Sequence, residues 1–307
     1  MNPLVTIICI SYNHAPYIKE ALDAVFAQDY EQIQVIIADD GSTDNSQDVI
    51  KELLEGKTLQ CIFNEENIGY TRTFNSALKH AEGEFIIDYA LDDVMKPAFV
   101  RKSVDRFKLT DRSTGVVFSN ADYIDEDSNV IGNHNESLFK KKMIKAIPEG
   151  DIFTNLMDRY FICTPTMVIR KEVFDRLGGY DEALAYEDFD FWIRSSRYWE
   201  YAYTDVIEMQ KRKLKSSMSA ARYQFTMNKQ LKSTRIVCEK AFHLCKTEKE
   251  LKLLGARLNY EYRQCIRNGA NDLAEDYQLL IKKTGSSLDA ISLGVRFLGR
   301  KFHRKHH

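Results

Sequence analysis

Three pairs of acidic residues carry the strongest chemical signal in this chain. Asp39-Asp40 and Asp92-Asp93 each stand where an apolar run stops, and Glu187-Asp188 opens a segment with helical spacing. In an open α/β sheet, ligands bind in the crevice beyond the carboxyl ends of the strands. Carboxylates at two such ends favour a site for a cation or a polyol. The alternative for any one pair is a solvated turn or a helix cap.

The elements that would position these pairs alternate between strand and helix. The apolar, β-branched run at residues 5–10 is typical of a strand buried on both faces, and Pro16 suits the first position of the next helix. The same patterns predict strands at residues 35–38, 59–63 and 85–88. They predict helices at residues 16–27 and 71–81, and between these a helix that is capped by Ser42 or Thr43 and ends at about Leu54. This alternation predicts a mainly parallel sheet with helices on both faces.

The chain after Asp93 is less regular. Its patterns predict helices at residues 97–109 and 187–198, strands at 116–119 and 166–169, a hairpin or loop within 122–136, and a short helix ending at Gly178-Gly179. Beyond residue 219 the pattern is helical. The predicted architecture is an α/β domain at residues 1–219 followed by an all-helical, basic region at residues 220–307.

Composition and charge describe a folded protein with two unlike parts. Of 307 residues, 44% are hydrophobic and 29% charged, and the six cysteines include no CxxC pair, so we expect a soluble protein with reduced thiols. The absence of a leader and of an apolar run of about 20 residues favours the cytoplasm. Residues 1–210 contain 21 Lys and Arg against 37 Asp and Glu, whereas residues 211–307 contain 22 against 8.

Six segments together resemble the family-two glycosyltransferases, which have a GT-A fold. In order they are VTIICISYNH, ADDGSTD, NIGYTRTFNSAL, GEFIIDYALDD, TPTMVIRKEVFDRLGGYDE and YEDFDFWIR, within residues 3–219. The resemblance implies a Rossmann-like GT-A domain with a nucleotide-sugar half at about residues 1–95 and an acceptor half at about 96–219. It also implies metal-dependent, hexosyltransferase-like transfer of a sugar from a nucleoside diphosphate donor, with a UDP-sugar favoured, to a hydroxyl acceptor with inversion.

The resemblance assigns the nucleotide to the first two acidic pairs. Asp40 would accept a hydrogen bond from the base, and the segment from Thr6 to Tyr12, which includes Ser11, would form the floor and wall of the base pocket. The alternative for Asp40 is an Asx turn before Gly41.

The segment ALDD resembles the DxD motif of the family, with Leu91 at a commonly acidic position. By the resemblance, Asp92 faces the ribose and Asp93 binds a divalent cation. Hard oxygen ligands favour Mn²⁺ or Mg²⁺, which would bridge the phosphate oxygens and stabilise the leaving group. A capping role at the helix that begins near Pro97 would explain Asp93 but gives no reason for both acids.

The third acidic pair carries the predicted base. By the resemblance, Asp188 takes the proton from the acceptor hydroxyl as this hydroxyl attacks the anomeric carbon, and a single base without a covalent nucleophile gives inversion. Glu187 has no predicted role beyond shaping its turn. The alternative for both acids is a favourable interaction with the helix dipole.

The cationic side of the site departs from the family pattern. Phe74 stands where many members have an arginine, so Arg72 is the substitute predicted to reach the phosphates. Gln210-Lys-Arg-Lys213 stands where many members have Arg-x-His, and Lys213 would neutralise the diphosphate as a point charge. His14 and His134 are alternative substitutes for the missing histidine.

The basic C-terminal region suggests a surface partner. Ile291, Val295, Leu298 and Phe302 form one helical stripe, while Arg296, Arg300 and Arg304 recur on another face, as in a helix that lies on an anionic membrane. That reading implies a peripheral protein acting on a glycan or lipid-linked glycan acceptor in surface polysaccharide assembly. The alternative is a terminal helix packed on its own domain or on a second subunit of a homo-oligomer.

Two other functions compete with glycosyl transfer. A sugar nucleotidyltransferase shares the α/β layout, but its Gly-rich basic loop has no counterpart in Ser11-Tyr-Asn-His-Ala-Pro16. A non-catalytic module that binds nucleotide sugars or docks at a membrane would not need the base at Asp188. No nucleic-acid partner is expected.

Overall fold

The computed structural model describes residues 2–185, 187–214 and 227–295 of the chain. The described residues belong to two compact units. The first unit comprises Met1–Ile152, Phe161–Glu182 and Tyr198–Lys215, and the second comprises Phe153–Tyr160, Ala183–Arg197 and Ser216–His307.

The first unit is built on a nine-stranded mixed sheet. Its strands in chain order are β1 (Val5–Ser11), β2 (Ile33–Asp39), β3 (Gln60–Phe63), β4 (Phe85–Ala90), β5 (Val94–Met95), β6 (Thr114–Ile124), β7 (Val130–Asn133), β8 (Val168–Arg170) and β9 (Glu200–Arg212). The spatial order is β3-β2-β1-β4-β8-β6-β9-β5, with β7 paired to β6. Strands β1 to β4 pair in parallel, as the alternating pattern predicts, and β6 pairs with β9 in parallel, while β8, β5 and β7 pair antiparallel.

The helices include those predicted and two that were not predicted, His134–Lys140 and Phe153–Asp158. They are α1 (Ile18–Phe26), α2 (Ser46–Leu53), α3 (Tyr70–Leu78), α4 (Phe99–Lys108), α5 (His134–Lys140), α6 (Phe153–Asp158), α7 (Lys171–Leu177), α8 (Glu187–Ser195), α9 (Met227–Leu244), α10 (Glu248–Arg267) and α11 (Asn271–Lys283). Helix α2 begins at Ser46 after Asn45, so the predicted cap at Ser42 or Thr43 is wrong. The Ser42 hydroxyl instead bonds to Asp39.

The core of the first unit explains why β1 lies inside the sheet. All seven residues of β1 are buried, and Val5, Ile7 and Cys9 pack in one cluster with Leu22 and Val25 of α1. A strand covered on both faces needs continuous apolar character, which is the pattern that predicted it. The same burial fixes the position of the strand end, where the polar residues begin.

Strand β9 was not predicted, and β6 is longer than predicted. Both carry polar residues; most of β6 is buried, whereas the burial of β9 follows no regular alternation. Their parallel pairing is irregular, with register shifts near Asn120, so neither strand shows a clean period of two. The polar stretch at residues 122–136 contains the predicted hairpin, formed by β6 and β7, and then the start of α5.

The second unit is helical, which confirms the predicted character of the C-terminal region. It contains α6, α8, α9, α10 and α11, and α10 begins with a capping box between Thr247 and Glu250. Segment Ala183–Arg197, which the sequence pattern groups with the acceptor half, belongs to this unit. The predicted domain boundary near residue 219 lies outside the described residues, as do Arg296, Arg300 and Arg304.

Candidate functional site

The carboxyl ends of β1, β2 and β4 bring the first two acidic pairs to one edge of the sheet. Ser11 pairs with Asp39, and Ile10 pairs with Ala90 on the other side of β1. Beyond the strands, the Asp40 amide donates to the Ser11 carbonyl at 2.9 Å, and the Leu91 amide donates to the Ile10 carbonyl at 2.9 Å. Strand order changes direction at β1, so this edge is a topological switch point where ligands bind. We call Asp39, Asp40, Asp92 and Asp93 with their strand ends the acidic edge.

Asp39 holds the turn that follows β2. Its carboxylate accepts hydrogen bonds from the Ser42 amide at 2.8 Å, the Ser42 hydroxyl at 2.6 Å and the Gln47 side chain at 2.9 Å. Asn13, at a positive φ of 55°, accepts from the Thr43 amide at 2.8 Å. The turn after β2 is therefore tied to the loop after β1, and Asp39 shapes this turn.

Asp40 organises the loop before α3. One carboxylate oxygen accepts from the Ile68 amide at 3.0 Å and the Thr73 hydroxyl at 2.8 Å, and the other accepts from the Gly69 amide at 3.1 Å. All of these donors are neutral, and the side chain is 3% exposed. A carboxylate offers about four acceptor positions, so Asp40 retains capacity for one more donor on the second oxygen. The Asx-turn alternative is not the geometry observed, because the donors to the Asp40 carboxylate lie 24 residues or more away in the chain.

Asp93 is a buried carboxylate with no cationic side chain within ion-pair distance among the described residues. It is 5% exposed, and the Arg212 backbone amide donates to its Oδ1 at 2.8 Å. Burial, followed by the charge of Asp92, raises the pKa of Asp93 well above its ordinary value, and the charge of Lys211 opposes this shift. A bound cation would favour the ionised form of this carboxyl.

Arg212 holds the loop that carries Asp92 and Asp93. Its side chain is fully buried, and its Nε donates to the Asp92 carbonyl at 2.8 Å. One terminal nitrogen donates to the Asp125 carbonyl at 2.8 Å, and the other pairs with Glu20 of α1 at 2.7 Å. The sequence offers no sign of this role, because Glu20 lies 192 residues away. Arg212 is thus a positioning residue for the acidic edge.

The predicted residues of β1 divide between its two ends. Ser11 is fully buried at the acidic edge, and its hydroxyl has no hydrogen-bond partner within the described part of the chain. Tyr12 follows it and is 41% exposed. Thr6 lies at the amino end of β1, where its hydroxyl donates to Gln34 at 2.6 Å and accepts from the Gly83 amide at 2.9 Å. The structure does not bring Thr6 to the acidic edge, and its bonds explain it as a link between strands.

Arg72 of α3, which is predicted to reach the phosphates, lies beside an acidic side chain. Arg72 of α3 lies 3.6 Å from Glu182, and both side chains are about half exposed. Phe74, at the position where many members have an arginine, is fully buried against Phe174 and Tyr180, with ring centroids 5.3 and 4.7 Å apart. An aromatic cluster therefore replaces the family's charge, and Arg72 faces an acid at its present position.

Asp88 is a buried carboxylate that the sequence motifs do not single out. The Tyr180 hydroxyl donates to it at 2.8 Å, and the Tyr70 hydroxyl donates to its other oxygen at 2.5 Å. Asn75 adds a second tie, because it accepts from the Tyr180 amide at 2.9 Å. These bonds join α3 to the loop after Gly179. A side chain at position 179 would collide with Asn75, because a Cβ atom placed on Gly179 would lie 2.5 Å from the Asn75 side-chain oxygen. The only sequence feature that could have indicated a role for Asp88 is its position as an acid within the apolar run FIIDYA.

The cationic candidates near the end of β9 have definite places. The Lys213 ammonium lies 3.8 Å from the Tyr123 ring centroid. Desolvation, followed by the charge of Lys211, lowers the pKa of Lys213, and Asp93 is among the charges that oppose this shift. Lys213 follows Arg212, the last residue of β9, and its backbone amide donates to the Ile124 carbonyl at 2.9 Å.

The two histidine substitutes differ. Tyr123 bonds to His134 Nδ1 at 2.7 Å, and the other ring nitrogen bonds to the Phe161 carbonyl at 2.9 Å, so both nitrogens are occupied and His134 is not a free ligand. Its burial lowers the pKa to about 4. His14 Nε2 lies 4.0 Å from an Asp92 carboxylate oxygen, and its buried Nδ1 has no partner in the described residues.

The predicted base lies in the second unit. Asp188 and Glu187 form the first turn of α8, where both side chains are partly buried. The next three residues, Phe189, Asp190 and Phe191, are buried and anchor the helix within its unit. The apolar residues after the acidic pair therefore have the anchoring role that the sequence suggests.

The acidic edge fits a divalent cation of the Mg²⁺ or Mn²⁺ type. Such ions are often held by one or two carboxylates together with substrate phosphates. Asp93 supplies a buried carboxylate whose charge no described side chain cancels at close range, and Asp92 stands beside it. Among the described residues no group of three His, Cys, Asp or Glu side chains could hold a metal without further ligands. Asp92 and Asp93 are thus the carboxylates that could contribute to a cation site at this edge.

Sequence comparison finds relatives that match about two thirds of the chain. A family model described as glycosyl transferase family 2 matches residues 6–178. An uncharacterized glycosyltransferase of Rickettsia typhi is 29% identical over 197 residues, which cover 64% of this chain and 59% of that protein. A second, from Haemophilus influenzae, is 27% identical over 202 residues, covering 64% and 61%. The match thus spans about three fifths of the length of these curated relatives.

Structural comparison extends the likeness to nearly the whole chain. TarS of S. aureus in complex with UDP-GlcNAc superposes with a TM-score of 0.68 at 16% identity, covering 95% of this chain and 83% of that one. The mannosyltransferase PcManGT of Pyrobaculum calidifontis, in complex with GDP-Man and Mn²⁺, gives 0.61 at 18% identity, covering 98% and 81%. At these identities the likeness establishes the fold, which is the predicted GT-A fold with a helical C-terminal region. Among the described helices, none is both long and apolar enough to cross a bilayer.

Proposed function

The chain belongs to glycosyl transferase family 2, and we propose that it transfers a sugar from a nucleoside diphosphate donor to a hydroxyl acceptor with inversion at the anomeric carbon. One observation carries this proposal beyond family membership. Asp92 and Asp93 lie at the switch point of the sheet, in a loop whose backbone Arg212 holds, and the Asp93 carboxylate remains without an ion-pair partner among the described side chains. A buried carboxyl without a cationic partner is suited to a cation that arrives with a diphosphate, because the cation would stabilise the ionised form.

The nucleotide would be held by residues at the acidic edge. Asp40 accepts the hydrogen bond of the base through its remaining acceptor position, and Ser11 and Tyr12 line the base pocket. Asp92 accepts from the ribose hydroxyl. Thr6 is left out of this proposal, because its hydroxyl is engaged at the opposite end of β1.

The phosphates would meet the cation on Asp93 and the positive charge near the end of β9. A divalent cation, when bound, stabilises the charge that develops on the leaving diphosphate. Lys213 contributes a point charge, and its lowered pKa is consistent with an ammonium short of counter-charge. Arg72 is proposed in the same role, which requires it to exchange its present partner Glu182 for a phosphate.

Asp188 is proposed as the general base. It would take the proton of the acceptor hydroxyl while that oxygen bonds to the anomeric carbon and the bond to the diphosphate breaks. Such proton transfer contributes about 10²–10⁴ in rate. No covalent intermediate is required, so each transfer inverts the configuration once.

The donor and acceptor classes follow from the family and the charge of the chain. A UDP-sugar is the favoured donor, with TarS bound to UDP-GlcNAc as support from a protein of the same fold. The excess of Lys and Arg in residues 211–307 supports a glycan or lipid-linked glycan acceptor at an anionic membrane surface, in polysaccharide assembly on the cytoplasmic side. Mn²⁺ or Mg²⁺ is the proposed cation.

The function is tested by turnover with a panel of sugar nucleotides, and the base by a matched pair of variants. Binding of the correct donor first shows as a rise in melting temperature. Asp188→Asn should lower kcat at least about 100-fold and leave the Kd for UDP within twofold. Glu187→Gln makes the same charge change in the same helical turn and should keep most of the activity. An Asp188→Asn enzyme that turns over at the wild-type rate would refute the base assignment.

A further inference from the structure

The helix that carries the candidate base is tied to the C-terminal helices by a buried charge. Asp190 lies two residues after Asp188 and is fully buried. One of its oxygens accepts from Arg194 of the same helix at 2.6 Å, and the other accepts from Lys240 of α9 at 2.6 Å. A buried carboxylate is stable only when it is paired and hydrogen-bonded, so this helix and α9 are held at the point where the two charges meet.

Further contacts within the second unit hold the segment on both sides of the acidic pair. The Ala185 amide donates to the Ser233 hydroxyl of α9 at 2.9 Å. Arg197 pairs with Glu250 of α10 at 2.7 Å, with both side chains about nine-tenths buried. The guanidinium of Arg257 in α10 lies 4.9 Å from the Phe189 ring centroid. Contacts to α9 and α10 therefore occur before, beside and after Asp188.

Helix α8 is too short to fix its own geometry. It has nine residues, and isolated helices of fewer than about 12–15 residues are marginal in water. Its conformation and orientation must come from packing, and in the described residues of the second unit α8 packs chiefly on α9 and α6. Its contacts to α10 come from the Phe189 ring and from Arg197, just beyond the end of the helix. A displacement of about 1 Å at a reacting group costs about 100-fold in rate.

We propose that α9 and α10 form a positioning element for the catalytic base, in which the Lys240–Asp190 ion pair sets the orientation of the helical turn that presents Asp188. This proposal rests on the assignment of Asp188 as base. It gives the basic C-terminal region a role in transfer besides attachment to a surface. Lys240 and Asp190 are positioning residues, because they act through Asp188 and not on the substrate.

The test compares two lysines of α9. Lys240→Met removes the cross-helix charge, while Lys232→Met makes the same substitution at an exposed position of the same helix. We expect kcat to fall about 10- to 100-fold in Lys240→Met, with the KM for the donor and the Kd for UDP within twofold of wild type. Lys232→Met should match wild type in all three quantities. Lys240→Arg, which restores the charge and the hydrogen bond, should recover most of kcat.

A second variant covers the case in which Lys240→Met does not fold. Ser233→Ala removes only the bond to the Ala185 amide and should lower kcat about three- to tenfold at unchanged UDP affinity. A folded Lys240→Met enzyme with wild-type kcat, or a wild-type Ser233→Ala enzyme where Lys240→Met is unfolded, would overturn the positioning role.

Different results would contradict the proposed function and the positioning role. It would fail if the wild-type protein turned over no sugar nucleotide, or if Asp188→Asn were fully active. Sedimentation with anionic liposomes separates the positioning role from membrane attachment. Lys240→Met should bind vesicles as wild type does, and a loss of vesicle binding parallel to the loss of kcat would show that the surface, not the position of the base, is affected.

Discussion

The two units hold their buried carboxylates with different partners. At the acidic edge of the first unit, Asp39 and Asp40 accept from backbone amides, hydroxyls and side-chain amides, and Asp93 accepts from a backbone amide. In the second unit, Asp190 accepts from Arg194 and Lys240. The pairs Arg197–Glu250 and Arg257–Glu261, at 2.7 and 2.8 Å, follow the same rule.

This difference separates a site from a support. Neutral donors fix a carboxylate without cancelling its charge, so the charge remains available for a cation or a polarised ligand group. A cationic partner cancels the charge, and the pair then serves to hold two helices together. On this criterion Asp40 and Asp93 of the acidic edge are placed for binding, and Asp190, Glu250 and Glu261 are placed for structure.

The largest expected effect is on stability, when the buried charge of Asp190 is removed and its two cationic partners are left without it. Asp190→Asn leaves two cations, Arg194 and Lys240, facing one amide, so we expect the free energy of unfolding to fall by about 2–4 kcal/mol. Glu275→Gln, at an exposed position of α11, should change it by less than about 0.5 kcal/mol. Urea titrations of both variants make the comparison. An Asp190→Asn protein as stable as wild type would remove the distinction between the two units.

The next effect concerns the residue that positions the acidic edge. Arg212→Met keeps the volume of the side chain but removes the bonds to the Asp92 and Asp125 carbonyls and to Glu20, so the loop should lose its fixed geometry. We expect the affinity for UDP in the presence of Mn²⁺ to fall about 10- to 100-fold, as for residues that orient metal ligands. Calorimetric titration measures it, with Arg112→Met, an exposed arginine of the same unit, as control. An unchanged affinity for UDP in a folded Arg212→Met protein would mean that the loop carrying Asp92 and Asp93 does not depend on Arg212 for its geometry.

His134 of the first unit is buried in its neutral form, and this makes the free energy of unfolding depend moderately on pH. The folded pKa of His134 is about 4 and the unfolded value about 6.5, so below pH 6.5 the unfolded chain takes up a proton that the folded chain does not. Stability from this residue is complete above pH 6.5 and falls by about 1–3 kcal/mol as the pH drops to about 4. His134→Gln should lose this part of the slope between pH 7.5 and 5 in urea titrations. The exposed His243→Gln should retain it, and equal slopes in both variants would contradict the assignment.

The smallest expected effect on stability belongs to the candidate cation ligand. Asp93→Asn keeps an oxygen for the Arg212 amide and removes a buried charge, so without cation the free energy of unfolding should be unchanged or higher by up to about 1–2 kcal/mol. The same change at Asp190 is destabilising, which makes the pair a direct contrast. Parallel thermal melts in a chelating buffer test it, and a loss of more than about 2 kcal/mol in Asp93→Asn would show that Asp93 is structural.

The sequence predicts those parts of the fold that depend on local apolar patterns. β1, β2 and β4 read as continuous apolar runs because both of their faces are covered, and the helices between them show a period of 3.6. β9 was missed because its polar positions are stabilised by pairing with β6, whose residues lie more than 80 positions earlier in the chain. Its end nevertheless supplies Arg212 and Lys213.

The role of each acid could not be predicted from its type or its neighbours. Asp93 and Asp190 are both buried acids at the edge of apolar segments. They differ because Asp190 has two cationic partners, Arg194 one turn further along α8 and Lys240, which lies 50 residues beyond Asp190. The resemblance to the family marked Asp40, Asp92, Asp93 and Asp188 without this information. The resemblance also included Thr6, as the start of the segment from Thr6 to Tyr12 that would form the base pocket, although Thr6 and Ser11 lie near opposite ends of β1.

The central claim is that the acidic edge binds a nucleoside diphosphate together with a divalent cation. Calorimetric titration of UDP into the wild-type protein and into Asp93→Asn, each with Mn²⁺ and with a chelator, tests it most directly. The account predicts that Mn²⁺ tightens UDP binding to the wild type at least about tenfold and has less than a twofold effect on Asp93→Asn. Equal affinity of the wild type for UDP with and without Mn²⁺, or an equal effect of Mn²⁺ on both proteins, would contradict it.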